Sequence, residues 1–213
     1  NPAFNFMSYK AYIFDLDGTL LATLDDLINA LNISLKECGF DKVFDVKDGK
    51  YLVGNGPDEF IKRALGDDYN LDNFNRLRDV YIPNYEKYQL EKVRPFEGIK
   101  DELEILKKRE IKILVATNKP QQLAEKVLDH VFGPNMFDGI FGYKSKDEPH
   151  KPNKEFTLNI LNSFSLKPQD CLFIGDSLTD LLTASNVMMD SLLVTWGYGE
   201  YSEEVKSKAT YVI

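Results

Sequence analysis

Asp15 and Asp17 are the residues of this sequence best suited to chemistry. They lie in the stretch Tyr12-Ile13-Phe14-Asp15-Leu16-Asp17-Gly18-Thr19-Leu20, with one residue between them. The apolar run over 11–14 reads as a buried strand of the parallel-sheet kind. Ligand sites of open α/β sheets lie outside the carboxyl ends of the strands, which is where these acids fall. Alternation along an extended backbone puts Asp15 and Asp17 on one side. Gly18 then allows a turn that a side chain would obstruct, so the two can be aimed differently. Such a pair suits one nucleophile and one proton-transfer acid, with a hard cation holding the charges together. A calcium loop would need more oxygen ligands downstream, and Leu20, Leu21 and Leu24 occupy that ground. A solvated turn after a strand is the plain alternative.

Other strand ends weigh against the plain alternative. A strand expected over 111–116 runs into Thr117 and Asn118. Another, over 171–174, runs into Gly175-Asp176-Ser177, with Asp180 one helical turn further on. Lys151 stands just before a helix expected over 153–164. Each has an ordinary explanation alone: Thr117 as a helix cap, Asp176 and Asp180 as acids favoured by a helix dipole, Lys151 as a solvated lysine. His130 and His150 read as surface or packed histidines. Taken together on one sheet, these positions gather acids, a hydroxyl and a lysine at a single edge.

The elements that must position them follow from the apolar pattern. Leu24, Leu27, Ile28, Leu31 and Leu35 recur at helical spacing, and Gly39 follows as a stop. Helices are expected over 59–65 and 71–88, the second kinked or broken at Pro83. No strand is expected between Ala22 and Glu91, so this stretch is a helical module the size of a small bundle. From Gly98 onward, helices over 99–109, 121–131, 153–164 and 178–187 alternate with strands over 111–116, 139–142, 171–174, 192–195 and 210–213. That alternation implies an α/β fold with a doubly wound parallel sheet. The expected division is a core of residues 7–21 and 93–213, with an inserted helical cap of residues 22–92. Residues before Met7 are left out of the fold reasoning.

Composition narrows the partners. The chain has 213 residues, enough for a sizeable core with a smaller second domain. Its net charge of −8 argues against nucleic acid or an anionic membrane as a general partner. No apolar run approaches the length of a membrane span, and no signal-peptide core precedes the first strand. Cys38 and Cys171 form no scaffold pattern and read as reduced thiols, which implies the cytoplasm. An anionic substrate needs locally placed cations. At a Debye length of about 8 Å such cations outweigh the distant net charge.

Asp15-Leu16-Asp17-Gly18-Thr19-Leu20, Thr117-Asn118, Lys151-Pro152 and Gly175-Asp176-Ser177-Leu178-Thr179-Asp180 resemble, in order, the four motifs of the haloacid-dehalogenase-like hydrolase superfamily. The resemblance covers essentially the whole chain. Val53-Gly54-Asn55-Gly56, Thr117-Asn118-Lys119-Pro120 and Trp196-Gly197-Tyr198-Gly199 are similar to its phosphoglycolate phosphatase branch. Ala22-Thr23 departs from the usual Asp-Ser after the first motif. Asn186-Val187-Met188 departs from the usual Ala-Gly-Met after the fourth.

The resemblance implies a rossmannoid core, a helical cap, and a phosphatase acting on a small phosphorylated metabolite. It implies Asp15 as nucleophile, forming an aspartyl-phosphate, and Asp17 as general acid and base. Thr117, the Asn118 amide and Lys151 would bind the phosphoryl group. Mg²⁺ would be held by Asp15, Asp176 and the backbone carbonyl of Asp17, with Asp180 behind them orienting Lys151 or metal-bound water. The expected substrate is 2-phosphoglycolate. Its carboxylate would meet the Gly54-Asn55-Gly56 loop and the Asn55 side chain, helped by Lys62 or Arg63. A pyrophosphatase or nucleotidase is the main alternative, and a phosphosugar mutase or a silent binding module ranks below it. A dehalogenase normally lacks the second acid, so Asp17 counts against that activity. The sequence leaves monomer and dimer open.

Overall fold

The computed structural model describes residues 8–213, so the expectations for residues 1–6 and for Met7 fall outside it. The first strand, β1 (Ala11–Phe14), is apolar throughout and fully buried. Its side chains alternate between two packed layers. Tyr12 and Phe14 join one hydrophobic cluster, and Ala11 and Ile13 join another.

After β1 the chain makes a short strand β2 (Leu21–Ala22) and then three helices, α1 (Leu24–Glu37), α2 (Pro57–Leu65) and α3 (Leu71–Tyr88). A six-residue 3₁₀ turn at Lys47–Leu52, not anticipated from the pattern, joins α1 to α2. The helices share a hydrophobic cluster of their own, built from Leu27, Ile28, Leu31 and Leu35 of α1, Phe60 and Ile61 of α2, and Leu77, Tyr81 and Tyr85 of α3. Of the kink or break expected at Pro83, the break does not occur: α3 runs through the proline. Proline removes the hydrogen bond to the carbonyl four residues back, here that of Asp79, which lies on the exposed side. Tyr81 and Tyr85, one on each side of Pro83, are both buried and keep the helix seated.

The chain returns through β3 (Arg94–Pro95), which pairs antiparallel with β2 and so joins the exit of the helical segment to its re-entry. The sequence pattern did not reveal this two-residue ribbon. Beside it, the buried carboxylate of Asp26 accepts the backbone N–H of Lys92 at 2.9 and 3.1 Å.

The remaining elements alternate: α4 (Ile99–Lys108), β4 (Lys112–Pro120), α5 (Gln121–Phe132), β5 (Gly139–Tyr143), α6 (Lys154–Ser163), β6 (Cys171–Gly175), α7 (Leu178–Ser185), β7 (Asp190–Leu193), a four-residue α8 (Glu203–Lys206) and β8 (Tyr211–Val212). They build a six-stranded sheet in the order β5-β4-β1-β6-β7-β8, with every pairing parallel. Helices α4 and α5 cover one face, and α6 with the end of α7 covers the other. Winding outward from β1 in both directions makes its carboxyl end the switch point of the sheet.

Most element boundaries differ from the pattern by one or two residues, and the end of β4 differs by four. β4 continues through Thr117, Asn118 and Lys119, because β5 keeps pairing with it as far as Pro120 across an irregular register. β7 starts two residues earlier than expected, since Asp190 and Ser191 pair with Leu172 and Phe173.

The three helices share a packed interior, so Leu31→Ala, at a fully buried position of α1, should cost about 2–5 kcal/mol in urea unfolding. A loss below about 1 kcal/mol would mean that the helices do not pack as described.

Candidate active site

Parallel pairing brings the site together. The register sets Phe14 opposite both Val115 and Ile174, so the residues that follow Phe14, Val115 and Ile174 emerge side by side. The Asp15 backbone N–H donates to the Ile174 carbonyl at 2.8 Å, which carries the alignment one residue past the strand.

The side chain of Asp15 meets Lys151. The lysine Nζ lies 2.8 Å from Asp15 Oδ1 and 2.8 Å from Asp180 Oδ1, and it is almost wholly buried. Asp180 is held from the other side: its Oδ2 accepts from the backbone N–H groups of Asp176 and Ser177 and from the Ser177 hydroxyl. Asp176 accepts from the Thr19 hydroxyl at 3.0 Å and from the Tyr198 N–H at 2.8 Å. Carboxylate oxygens of Asp15, Asp176 and Asp180 all lie within 4.8 Å of one another.

This is an excess of buried negative charge. Burial pushes the Asp15 carboxyl well above its ordinary range, and Asp180 pushes it further, against the pull of Lys151. Burial, then Asp180, raises Asp176 to about 6. For Lys151, burial alone would lower the value, but Asp15 and Asp180 outweigh it and the ammonium stays charged. Three crowded carboxylates with one lysine fit a hard divalent cation, which takes oxygen donors and relieves their repulsion. Asp15 and Asp176 are the residues that would hold it; Asp180 is paired with Lys151 through Oδ1, and its Oδ2 already accepts three hydrogen bonds from the turn at Ser177.

Asp17 points elsewhere. Its Oδ1 accepts from the Thr23 hydroxyl at 2.5 Å and from Lys119 Nζ at 2.8 Å. The turn at Gly18 makes this divergence possible. Gly18 has φ +82°, and a Cβ there would sit 2.3 Å from Asp176 Oδ2. Gly197 packs directly against this turn, where a Cβ would lie 2.1 Å from the Gly18 carbonyl oxygen.

Thr117 and Asn118 stand beside Asp15 on β4 and line the cleft with it. Thr117 does not cap the next helix; its Oγ1 accepts the Lys119 N–H at 3.0 Å. The Asn118 side chain donates to the Lys151 carbonyl and accepts the Lys151 N–H, each at 3.0 Å, and so fixes the loop that carries Lys151.

Across the cleft, Leu27, Val53, Phe60, Tyr81 and Ile82 of the helical segment form an apolar wall. The Val53–Gly56 loop reaches the strand ends, and the Gly54 carbonyl accepts from Asn118 at 3.3 Å. Asn55 departs from the free amide expected of it. Its Nδ2 donates to Thr179 Oγ1 at 3.1 Å and its Oδ1 accepts from Arg63 at 2.8 Å, so both ends are engaged. Lys62 lies over the Tyr69 ring instead of the cleft.

Sequence reasoning did not single out Lys119, Tyr198, Thr19 or Thr23 as site residues. All but Thr23 stand inside quoted motifs, but their partners are far away in the chain. Tyr198 shows why: its phenol oxygen accepts the N–H groups of Thr23 and Leu24 and takes the place of a side-chain cap on α1. Thr23, in a pair that departs from the family pattern, is thereby free to bond Asp17.

The haloacid dehalogenase-like hydrolase model matches residues 12–194. The chain belongs to that family. Among curated proteins of the family, the phosphoglycolate phosphatase of Aquifex aeolicus is 28% identical over 200 residues, covering 92% of this chain and 89% of that protein. The one from Aliivibrio fischeri is 30% identical, covering 91% and 87%. A solved structure from Lactobacillus delbrueckii subsp. bulgaricus, described as a candidate phosphoglycolate phosphatase, superimposes with a TM-score of 0.87 at 30% identity, covering 97% of this chain and 95% of that one.

A divalent cation held by the carboxylates should stabilise the fold by mass action. Millimolar Mg²⁺ should raise the Tm of the wild type, Asp176→Ala should abolish the rise, and Asp180→Ala should reduce it less. A rise in Asp176→Ala equal to that of the wild type would remove Asp176 from the ligand set.

Proposed function

We propose that this hydrolase is a phosphatase of small organic phosphate monoesters and that it works through a phosphoryl group carried on Asp15. The observation that carries this reading is the divergence of two neighbouring carboxylates, Asp15 toward Lys151 and Asp180, and Asp17 toward Thr23 and Lys119. One acid sits where a phosphoryl group would be neutralised. The other stands apart, on the side where a leaving group would depart.

In the first step a carboxylate oxygen of Asp15 attacks phosphorus in line, forming the O–P bond as the ester P–O bond breaks. Asp17 delivers its proton to the departing oxygen. In the second step Asp17 takes a proton from water, the water oxygen attacks phosphorus, and Asp15 leaves as free carboxylate with inorganic phosphate released. The proton demand reverses between the steps, which lets one residue serve both. The Thr117 hydroxyl and the Asn118 N–H are the proposed donors to phosphoryl oxygens. Lys151, held by Asp180, adds positive charge to them. Mg²⁺, bound by Asp15, Asp176 and the Asp17 carbonyl, would supply charge neutralisation between carboxylate and phosphate.

The helical segment is the proposed cap over residues 22–92, excluding water from the reaction. Asn55 joins the substrate site by holding the Val53–Gly56 loop against Thr179. The relatives named as phosphoglycolate phosphatases make 2-phosphoglycolate the first ester to assay. No helix among the described residues is long and apolar enough to cross a membrane, and we infer a cytoplasmic enzyme acting on a small metabolite.

Asp15→Asn should abolish hydrolysis of every ester while leaving the unfolding midpoint near that of the wild type. Retention of more than a few per cent of kcat would exclude Asp15 as nucleophile. Asp17→Asn should slow alkyl phosphates far more than p-nitrophenyl phosphate, whose leaving group departs without a proton. Equal losses on both would reduce Asp17 to a structural role. Hydrolysis should also stop with chelator and return with Mg²⁺.

A further inference from the structure

We propose that Lys119 reads a second negative charge, a carboxylate, on the substrate's leaving group and so decides which phosphate monoester is accepted. This rests on the phosphatase reading and extends it to substrate choice.

The cleft has two chemically different halves. Asp15, Thr117 and Asp176 mark the phosphoryl end, and the apolar side chains of the helical segment mark the other. A leaving group entering that second half meets little that could hold a charge. The cations of the helical segment nearest to it are committed: Arg63 bonds Asn55 and the Tyr51 carbonyl and pairs with Glu59, and Arg78 lies 2.7 Å from Asp58. The segment from 21 to 93 also carries 10 Lys and Arg against 14 Asp and Glu, so its general field repels anions.

Lys119 is the one lysine or arginine among the residues lining the cleft, and it stands at the junction of the two halves. Its ammonium is held in place. Nζ contacts Asp17 Oδ1 at 2.8 Å, hydrogen-bonds the Tyr85 hydroxyl, and lies 4.5 Å from the Tyr85 ring centre. Only 2% of the side chain is exposed, so the charge acts with little screening by water. An ammonium has three N–H donors. Asp17 and Tyr85 account for two, and the third has no partner among the described residues. Asp17 is the proposed proton donor to the ester oxygen. A cation bonded to Asp17 is therefore placed beside the first atoms of the leaving group, within reach of a carboxylate one carbon away.

The test compares 2-phosphoglycolate with ethyl phosphate, which keeps the same two-carbon ester skeleton but lacks the carboxylate oxygens. The wild type should favour 2-phosphoglycolate in kcat/KM. Lys119→Met should lower both substrates, because Asp17 loses a partner. It should lower 2-phosphoglycolate by a further factor of about ten to a hundred, the worth of a hydrogen bond to a charged group. The intrinsic difference between the two leaving groups cancels when variant and wild type are compared. Lys119→Arg should restore part of the preference. If Lys119→Met does not fold, Lys119→Gln, which keeps polar N–H donors without the charge, provides the same comparison.

Equal losses on both esters would overturn the proposal and leave Lys119 as a support for Asp17 alone. A wild type that prefers ethyl phosphate, and prefers it more as the alkyl chain lengthens, would overturn it in favour of the apolar wall. A wild type that hydrolyses neither ester nor p-nitrophenyl phosphate would instead remove the phosphatase reading, and this inference with it.

Discussion

The structure depends on one electrostatic constraint: three carboxylates, two buried and one partly buried, crowd around a single lysine. Asp15, Asp176 and Asp180 crowd within 4.8 Å, and Lys151 answers Asp15 and Asp180 at 2.8 Å each. Burying charge is costly unless each group is paired or hydrogen-bonded. The surrounding architecture reads as the means of meeting that requirement. Backbone N–H groups at the start of α7 serve Asp180, the Thr19 hydroxyl and the Tyr198 amide serve Asp176, and the Asn118 side chain clamps the backbone of Lys151. The remaining negative charge suits the site to a hard cation, which would neutralise the proposed phosphoryl group in turn.

Close approach follows from the same constraint. Gly18 and Gly197 have no side chain because Asp176 and the backbone occupy the volume a Cβ would need. The two parallel strands on either side of β1 then act as a ruler. A shift of one residue in either pairing would turn Asp15 away from Lys151, since successive side chains point to opposite faces. The apolar layers on both faces of the sheet hold that register and so connect core packing to the chemistry.

The helical segment meets the strand ends through a small set of polar contacts. Asn55 reaches Thr179, Asn118 reaches the Gly54 carbonyl, Tyr85 reaches Lys119, and Tyr198 holds the start of α1. Each contact joins a cleft-lining element to a residue adjoining the carboxylates. Any movement of the segment would be felt at Asp17 and at the Val53–Gly56 loop, so the wall facing the proposed leaving group and the proposed proton donor are parts of one assembly.

The sequence by itself determined what depends on local pattern and residue type. The apolar run before Asp15, the alternation after Gly98 and the helical spacing of Leu24 through Leu35 were sufficient for the fold class and for the helix that follows β2. Asp15, Asp17, Thr117, Lys151, Asp176 and Asp180 could be singled out as candidates because the pattern sets them at expected strand and helix ends. Tertiary structure decided everything that relies on a distant partner. Pro83 stays within a helix because Tyr81 and Tyr85 are buried on either side of it. β2 and β3 form only because each finds the other across the whole helical segment. Asn55 looked like a free ligand amide until Arg63 and Thr179 claimed it. Lys119 looked like a residue after a motif until parallel pairing set it against Asp17, 102 positions away in the chain. A sequence shows which groups are available, but the pairing of charges over such distances is fixed by sheet register and packing, which no local pattern encodes.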